Sequence, residues 1–418
     1  MKKKTAIFLM PRSSRAWNGA EALWITVAGW AAAAEQLWGS SWVATTDTVV
    51  KAADVIHYPI KDSKNDNNVV KPKGKYGWMP HILRNLLKDL QLKRMQPSVW
   101  AIEKVNEWKN EDVQLVWEQH DLYPGVGYKL SRQLRVPFVV YVHGPVVWEM
   151  RKWGVKRPLW GKWLEKNVEA VSLKRADLIA CVTDEVRNKV IEMGIDESKV
   201  IVSPMSVDTS LFYPNKDAFV LKKKLNIEDK FVIGWTGSFR TFHGLDTVVK
   251  AFAKLQQKTD NVVLMLVGDG FERQNLKKLV QDLSLATKVI FTGKLPFTSI
   301  PDYVACFDVA IVSAKSAEGF HYSPLKLREY MATAKATIAP RAGDLPKEFN
   351  EGEHLLFYEA GSEDDLLKQL EVIVQDDSLR LKLGKNALDY VLQSSTWAHE
   401  LKRVVNLLNL NAVKRDLI

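Results

Sequence analysis

Cysteine is scarce in this chain, with only Cys181 and Cys306 among 418 residues. Both stand in apolar, strand-like runs, LIACV and YVACFDVAIV, which suits buried reduced thiols and excludes a disulfide framework or a zinc site built on paired thiolates. Reduced thiols point to a cytoplasmic setting. Long apolar runs are equally absent. No window approaches the roughly 18 uninterrupted apolar residues of a membrane span, because the stretch from Ala20 to Trp38 is broken by Glu21, Glu35 and Gln36. The opening MKKKTAIFLMPRSSR begins as a signal peptide does, yet its apolar part ends at Pro11 and charge returns at once, so it reads as a first strand. Such a chain is expected to be soluble or to touch a membrane only at its surface. No G-x-G-x-x-G follows the first strand of either half, which speaks against a dinucleotide-dependent oxidoreductase.

What is present is length and unevenly placed charge. A chain of 418 residues exceeds what one core usually supports, so two domains of roughly 200 residues are expected. The net charge of +10 belongs almost wholly to the first half: residues 1–200 hold 31 Lys+Arg against 22 Asp+Glu, a net of +9, and residues 201–418 hold 28 against 27, a net of +1. Between Trp148 and Arg175 the cations Arg151, Lys152, Lys156, Arg157, Lys162, Lys166, Lys174 and Arg175 are interleaved with Trp148, Trp153, Trp160 and Trp163. Cations mixed with indoles suit an anionic membrane surface. A second stretch, 71–95, carries Trp78 and then Ile82, Leu83, Leu86, Leu87 and Leu90 at helical spacing beside Arg84, Lys88, Lys93 and Arg94. The same pattern also describes a solvated helix resting on a core. No nucleic-acid motif accompanies the charge, so nucleic acid is not an expected partner.

Short apolar runs alternate with helical stretches, and the pattern occurs twice, which implies an α/β protein with parallel sheets flanked by helices. The strands expected in the first half are 5–10, 41–46, 113–118, 138–143, 178–183 and 200–205; those in the second are 231–237, 262–270, 288–294, 309–314, 336–341 and 355–359. Several end in polar or small residues, where ligands usually sit. The segment Asp208 to Asp217, containing Tyr213-Pro214-Asn215, reads as a linker. Two open α/β domains facing each other leave a cleft for a small ligand.

The segment from Glu318 to Pro340, EGFHYSPLKLREYMATAKATIAP, joins a turn-forming loop to a helix. Pro324 fits the first helical position, and Ser323 before it is placed to cap the free amides. Lys326 and Glu329 then lie three apart on one helical face. Helix amides, the dipole and Lys326 favour a phosphate, while Glu329 one turn deeper can accept hydrogen bonds from a pair of sugar hydroxyls. An ordinary amphipathic helix with a solvated Lys–Glu surface pair fits the same residues. Upstream, Gly237 and Gly244 flank Arg240 and His243 between a strand and a helix, so backbone can approach a phosphate that those side chains neutralise. Gly268-Asp269-Gly270 and Gly293-Lys294 end two further strands, and taken singly they read as simple turns.

In this order, and together with SPLKLREYMA, these elements resemble the nucleotide-binding domain of the two-domain (GT-B fold) retaining glycosyltransferases of family four, the glycosyltransferase group 1 type. Arg175-Ala176-Asp177-Leu178-Ile179, Ser203-Pro204-Met205 with Phe212, and Ser395-Thr396-Trp397 extend the similarity over nearly the whole chain. The resemblance implies two Rossmann-like domains: an acceptor-binding domain over 1–208, a nucleotide-sugar-binding domain over 217–394, and a helix over 395–418 that packs back on the first. It further implies that Gly237, Arg240 and His243 face the donor diphosphate, with Gly268 beside them and Lys326 adding charge. His243 stands where many members have lysine, and Ser238 where many have an arginine that Arg240 replaces. Backbone near Gly293, Lys294 and Leu295 meets the base, the backbone at Pro324 and Leu325 meets the diphosphate, and Glu329 holds the ribose. Gly19 and His143 match positions that approach the donor sugar and acceptor. Many members carry two glutamates eight apart; counting back from Glu329 lands on His321, with Glu318 three residues earlier, so both are candidates for the group beside the transferred sugar.

The activity implied is hexosyl transfer with retained configuration from a UDP-sugar or GDP-sugar, a donor substrate and not a cofactor, to a hydroxyl acceptor. No Asp-x-Asp follows a strand, so no metal is expected. The basic, tryptophan-rich first half points to a lipid-linked saccharide or polysaccharide precursor at the inner face of the cell membrane. A sugar-nucleotide epimerase of the same fold and a non-catalytic nucleotide-sugar-binding protein are the rival readings, the latter resting on the departures at Ser238 and His321.

Overall fold

Runs of apolar residues long enough to be buried on both faces become parallel strands covered by helices, and each such run forms a strand in the computed structural model, which describes residues 3–12, 21–46, 48–55, 79–94, 103–214 and 217–416. By internal contacts the chain divides into one unit of Met1–Pro204 with Glu400–Ile418 and another of Met205–His399.

The first unit contains β1 (Lys4–Leu9), β2 (Ser41–Ala44), β3 (Val49–Lys51), β4 (Asp112–Gln119), β5 (Phe138–Val142), β6 (Leu178–Cys181) and β7 (Val200–Val202), in the order β3-β2-β1-β4-β5-β6-β7. All pairings are parallel except β2 with β3. The edge strand β3 was not expected: it is three residues long and no residue of it is fully buried, so it carries no periodic signal. On one face Trp30 of the helix Glu21–Trp38 packs on Trp117 at 4.4 Å and on Tyr141 at 5.4 Å. Asp177, at the entry to β6, accepts the amide of Phe138 at 2.9 Å, and Asp308 does the same for Val232 at 2.7 Å in the other unit.

Between β5 and β6 a short helix Val146–Lys152 leads to a turn in which Leu159 has φ 66° and ψ −59° and Trp160 N donates to Pro158 O at 2.7 Å. This positive-φ γ-turn is rare and strained, a cost of about 1–3 kcal/mol for a residue other than glycine. The chain then runs through Trp160–Leu164, a π-helical turn Glu165–Glu169 and Ala170–Lys174. The π-turn points Glu169 inward, a local distortion often found at functional positions.

The second unit contains β8 (Phe231–Thr236), β9 (Val262–Val267), β10 (Val289–Gly293), β11 (Val309–Ile311), β12 (Ala336–Pro340) and β13 (Leu356–Tyr358), all parallel in the order β10-β9-β8-β11-β12-β13. The direction of the strand order reverses between β8 and β11, where ligands bind outside the carboxyl ends of the strands. Helix Leu245–Gln256 buries Leu245, Val248, Val249, Phe252 and Leu255, the stripe its spacing requires.

Ser395 O accepts the amide of Val207 at 3.2 Å, and the chain then enters the helix Trp397–Asp416. From Glu400 onward this helix belongs to the first unit, where Ser203 Oγ donates to Glu400 at 2.8 Å and Arg403 donates to Val202 O at 2.5 Å. Cys181 lies in β6, whereas Cys306 closes the helix Ile300–Ala305 and is not in a strand: Phe307 and Asp308 separate it from β11. Both thiols are free and buried, and burial pushes both up, Cys306 to about 11. Among the described residues no helix is long and apolar enough to cross a membrane.

Candidate functional site

At the carboxyl end of β8 the chain makes room for a cation. Gly237 has φ +138°, and a Cβ there would stand 2.8 Å from Lys326 Nζ and 3.0 Å from the ring of Trp235. Only glycine satisfies both the dihedral and the space. Lys326 Nζ lies 3.7 Å from the centroid of Trp235, a cation–π arrangement, and it is buried with no hydrogen-bond partner in the protein. Burial lowers Lys326 to about 7 against the attraction of Glu329, and burial raises Glu329 to about 7 against the attraction of Lys326. A solvated surface pair is therefore excluded: Glu329 is buried, Lys326 is half-buried with its Nζ covered, and the amine has no hydrogen-bond partner.

The helix that carries both residues is Leu325–Ala332, and its start differs from the expected one. Pro324 occupies the N-cap with ψ 110°, one residue before the first helical position, and no side chain caps the helix. The hydroxyl of Ser323 is taken instead by the Arg328 guanidinium at 3.1 Å and the Met205 amide at 3.2 Å. Arg328 is fully buried and also pairs with Glu348; a buried guanidinium needs acceptors more than a helix end needs a cap. Within the first turn Leu327 N donates to Pro324 O at 3.1 Å, and no side chain takes the amides before it. Tyr330 fastens the helix to β8, its hydroxyl accepting the Thr236 amide at 2.7 Å.

The neighbouring glycines serve close stacking of strand ends. A Cβ on Gly268, at φ +137°, would fall 1.9 Å from Gly237 O, and one on Gly244 would fall 2.8 Å from the Lys315 backbone. Gly268 and Gly293 form an isolated bridge. Ser238 and Arg240 are exposed on this loop, Lys294 is exposed after β10, and Leu295 rests half-buried against the core. His243 lies edge-on to Trp235 at 5.4 Å, and burial, then Lys326 and Arg240, hold its imidazole well below the usual range. It is neutral, so Arg240 and not His243 supplies charge from this loop. Two groups escaped the sequence reading: Trp235, whose role requires the folded sheet, and Tyr322, whose buried hydroxyl has no partner. Nδ1 of the buried His321 lies 2.8 Å from Gly319 O, while Glu318 is exposed.

In the first unit His143 follows β5, edge-on to Tyr141 at 5.1 Å. Its Nε2 is buried without a partner, and burial, then His120, lower the imidazole to about 3, so it is neutral. The adjacent end of β4 is unusually polar for a buried strand. Glu118 accepts the amides of Gly125 at 3.1 Å and Gly127 at 2.8 Å and is raised by burial to about 7. Gln119, in register with Tyr141, has both amide atoms buried and unpartnered. His120 lies 3.0 Å from Glu169, which accepts the amides of Val146 and Val147. Arg12, after β1, bridges to Asp121 at 2.5 Å. The sequence reading passed over this cluster, although the polar run EQHD closing an apolar strand marks it. Gly19 lies outside the described residues, and among those described no group of His, Cys, Asp and Glu could hold a metal ion.

Residues 217–389 match the family described as Glycosyl transferases group 1, and residues 69–211 match Glycosyltransferase Family 4. The chain is 26% identical over 229 residues to the N-acetyl-alpha-D-glucosaminyl L-malate synthase of Bacillus anthracis, covering 54% of this chain and 58% of that protein. It is 22% identical over 255 residues to the GDP-mannose-dependent alpha-(1-6)-phosphatidylinositol monomannoside mannosyltransferase of Mycolicibacterium smegmatis, covering 59% and 67%. The chain spans little more than half the length of the first of these curated relatives. Among solved structures it resembles Anabaena HepE in complex with UDP and glucose, with TM-score 0.64, 16% identity and coverage of 98% of this chain and 100% of that one. A glycosyltransferase from Rickettsia africae gives TM-score 0.66 at 16% identity, covering 98% and 99%. These two likenesses establish a shared fold.

Proposed function

Because the chain belongs to the GT-B glycosyltransferases of family four, the group 1 type, we propose that it moves a hexosyl group from a nucleoside-diphosphate sugar to an acceptor hydroxyl with retained configuration and without a metal. The observation that carries the proposal is the buried, unpartnered Lys326 amine over Trp235, with Glu329 one turn along and the backbone of Gly237 beside it. An anion there completes the charge of Lys326, the uncapped amides of helix Leu325–Ala332 add donors, and Arg240 closes the set. Glu329 accepts from the ribose hydroxyls. UDP in the HepE structure and GDP-mannose in the name of the mannosyltransferase support a UDP-sugar or GDP-sugar as donor.

In the transfer step the bond from the anomeric carbon to the diphosphate oxygen breaks, and the acceptor oxygen bonds to the same face. The acceptor proton passes to a donor phosphate oxygen, so the nucleoside diphosphate leaves with its charge met by Lys326 and Arg240. His143, neutral and with Nε2 unpaired, orients sugar and acceptor hydroxyls. His321 and Glu318 remain the groups proposed beside the transferred sugar. The basic first half, and the phosphatidylinositol-linked acceptor in the name of the mannosyltransferase, support a lipid-linked saccharide or polysaccharide precursor at the inner membrane face as acceptor.

A thermal-shift screen of nucleoside diphosphates and their sugars tests the donor site by mass action. One base class is expected to raise the melting temperature in the wild type and in His143→Ala, with transfer in His143→Ala lowered about a hundredfold. No shift with any nucleotide refutes the donor site, full turnover in His143→Ala removes that residue, and donor conversion without acceptor makes the protein an epimerase.

A further inference from the structure

A strained turn of the first unit presents an unpacked leucine. Leu159, at the centre of the positive-φ turn, is 97% exposed. Trp163, one helical turn later, is 59% exposed, and Trp153 and, on the helix His81–Arg94, Ile82, Leu83 and Leu90 are exposed as well. These apolar edges come from segments far apart in sequence, and Asp89 joins them. Its buried carboxylate accepts Arg157 Nε at 2.7 Å, Arg157 Nη2 at 2.9 Å and the Trp160 indole at 3.0 Å, while Asn85 donates to Lys156 O at 3.1 Å. Asp89 adjoins Leu90 and Trp160 adjoins Leu159, so the latch sets both edges side by side. Arg151, Lys156, Lys162 and Lys166 are exposed around them without an ion-pair partner among the described residues. Two acids of the same segment are spent elsewhere: Glu165 bridges to Lys189, and Glu169 is buried against His120.

We propose that Leu159, Trp163 and the apolar edge of helix His81–Arg94 enter the interface of an anionic phospholipid bilayer as one wedge, with the unpaired lysines on the headgroup phosphates. An apolar tip ringed by cations matches acyl chains beneath a layer of negative charge. A second copy of the chain is a poor match for the same tip, because it brings the same cations and repels. The wedge deepens the membrane-side acceptor reading above and rests on it for its purpose.

The full chain is sedimented with vesicles of phosphatidylcholine alone and of phosphatidylcholine mixed with phosphatidylglycerol, at low and high salt. Binding is expected only with phosphatidylglycerol, weakened by salt, and reduced roughly tenfold or more in Leu159→Gly and in Trp163→Ser. Leu159→Gly is also expected to raise the melting temperature, because glycine tolerates positive φ; a purely structural role for Leu159 moves fold and binding together. Wild-type binding by Leu159→Gly, equal binding to neutral vesicles, or lipid-free self-association that Leu159→Gly abolishes overturns the proposal. Nucleotide-induced thermal shifts stay unchanged in both variants, which separates a failed wedge from a failed donor site. Efficient transfer to a soluble acceptor that vesicles do not stimulate refutes the membrane-side acceptor and leaves vesicle binding standing.

Discussion

Binding of a nucleoside diphosphate is expected to take up a proton at pH 8. Lys326 is lowered from 10.5 to about 7 by burial, so at pH 8 about nine-tenths of the free protein carries the neutral amine. A diphosphate beside Nζ restores the ammonium ion, and uptake approaches about 0.9 proton per nucleotide. Glu329, raised to about 7, is mostly ionised at pH 8 and adds little. At pH 6 the balance inverts: Lys326 is already charged, and Glu329 must release its proton to accept both ribose hydroxyls. Calorimetry of UDP or GDP binding in two buffers of different ionisation enthalpy measures the uptake directly. Lys326→Met removes it and weakens binding at least about tenfold, the scale of one charge-assisted hydrogen bond. The ligand-free protein carries a matching signature. Between pH 4.5 and 7 the folded state holds the Glu329 proton more tightly than the unfolded state, so stability falls as pH rises; between 7 and 10.5 the unfolded state holds the Lys326 proton more tightly, so stability rises. The pair therefore places a stability trough near pH 7, and Lys326→Met abolishes the rise above it, leaving only the fall due to Glu329. Zero proton uptake at pH 8 in the wild type, or undiminished uptake in Lys326→Met, refutes the assignment of Lys326 to the anion.

Gly268→Ala forces a Cβ to 1.9 Å from Gly237 O at φ +137° and is expected to lose about 3 kcal/mol of stability, read by denaturant unfolding; an unchanged midpoint shows that the strand ends are not stacked as described. Tyr322→Phe removes a buried hydroxyl without a partner and is expected to raise the ligand-free protein's stability by about 1 kcal/mol while reducing the nucleotide-induced thermal shift. An unchanged shift removes Tyr322 from the site.

Local pattern was sufficient wherever burial on both faces dictated residue type. The run FVVYV of β5 and the run VVLMLV of β9 admit no polar residue because helices cover both sides, and so they were legible. The strand β3 was not, because a short half-exposed edge needs neither alternation nor a continuous apolar run. At the candidate site the failures have a common cause. Ser323 and Pro324 obey the local rule for a helix start, yet Ser323 answers to Arg328 and Met205, and no pattern around Ser323 announces that a guanidinium will be buried beside it. Lys326 and Glu329 at a spacing of three look alike whether solvated or dry. The difference is made by Trp235 and Gly237, which only the sheet brings beneath Nζ. A glycine in the sequence permits positive φ; it does not say that the missing Cβ is needed by a lysine on another element. Local rules describe what a segment does alone, and a ligand site is where a segment is held for a partner that is not part of the chain. Lys326 unpaired, Tyr322 unpaired and the helix start uncapped are three such departures, all in the chain from Tyr322 to Lys326, and their convergence argues for a ligand more strongly than any one of them.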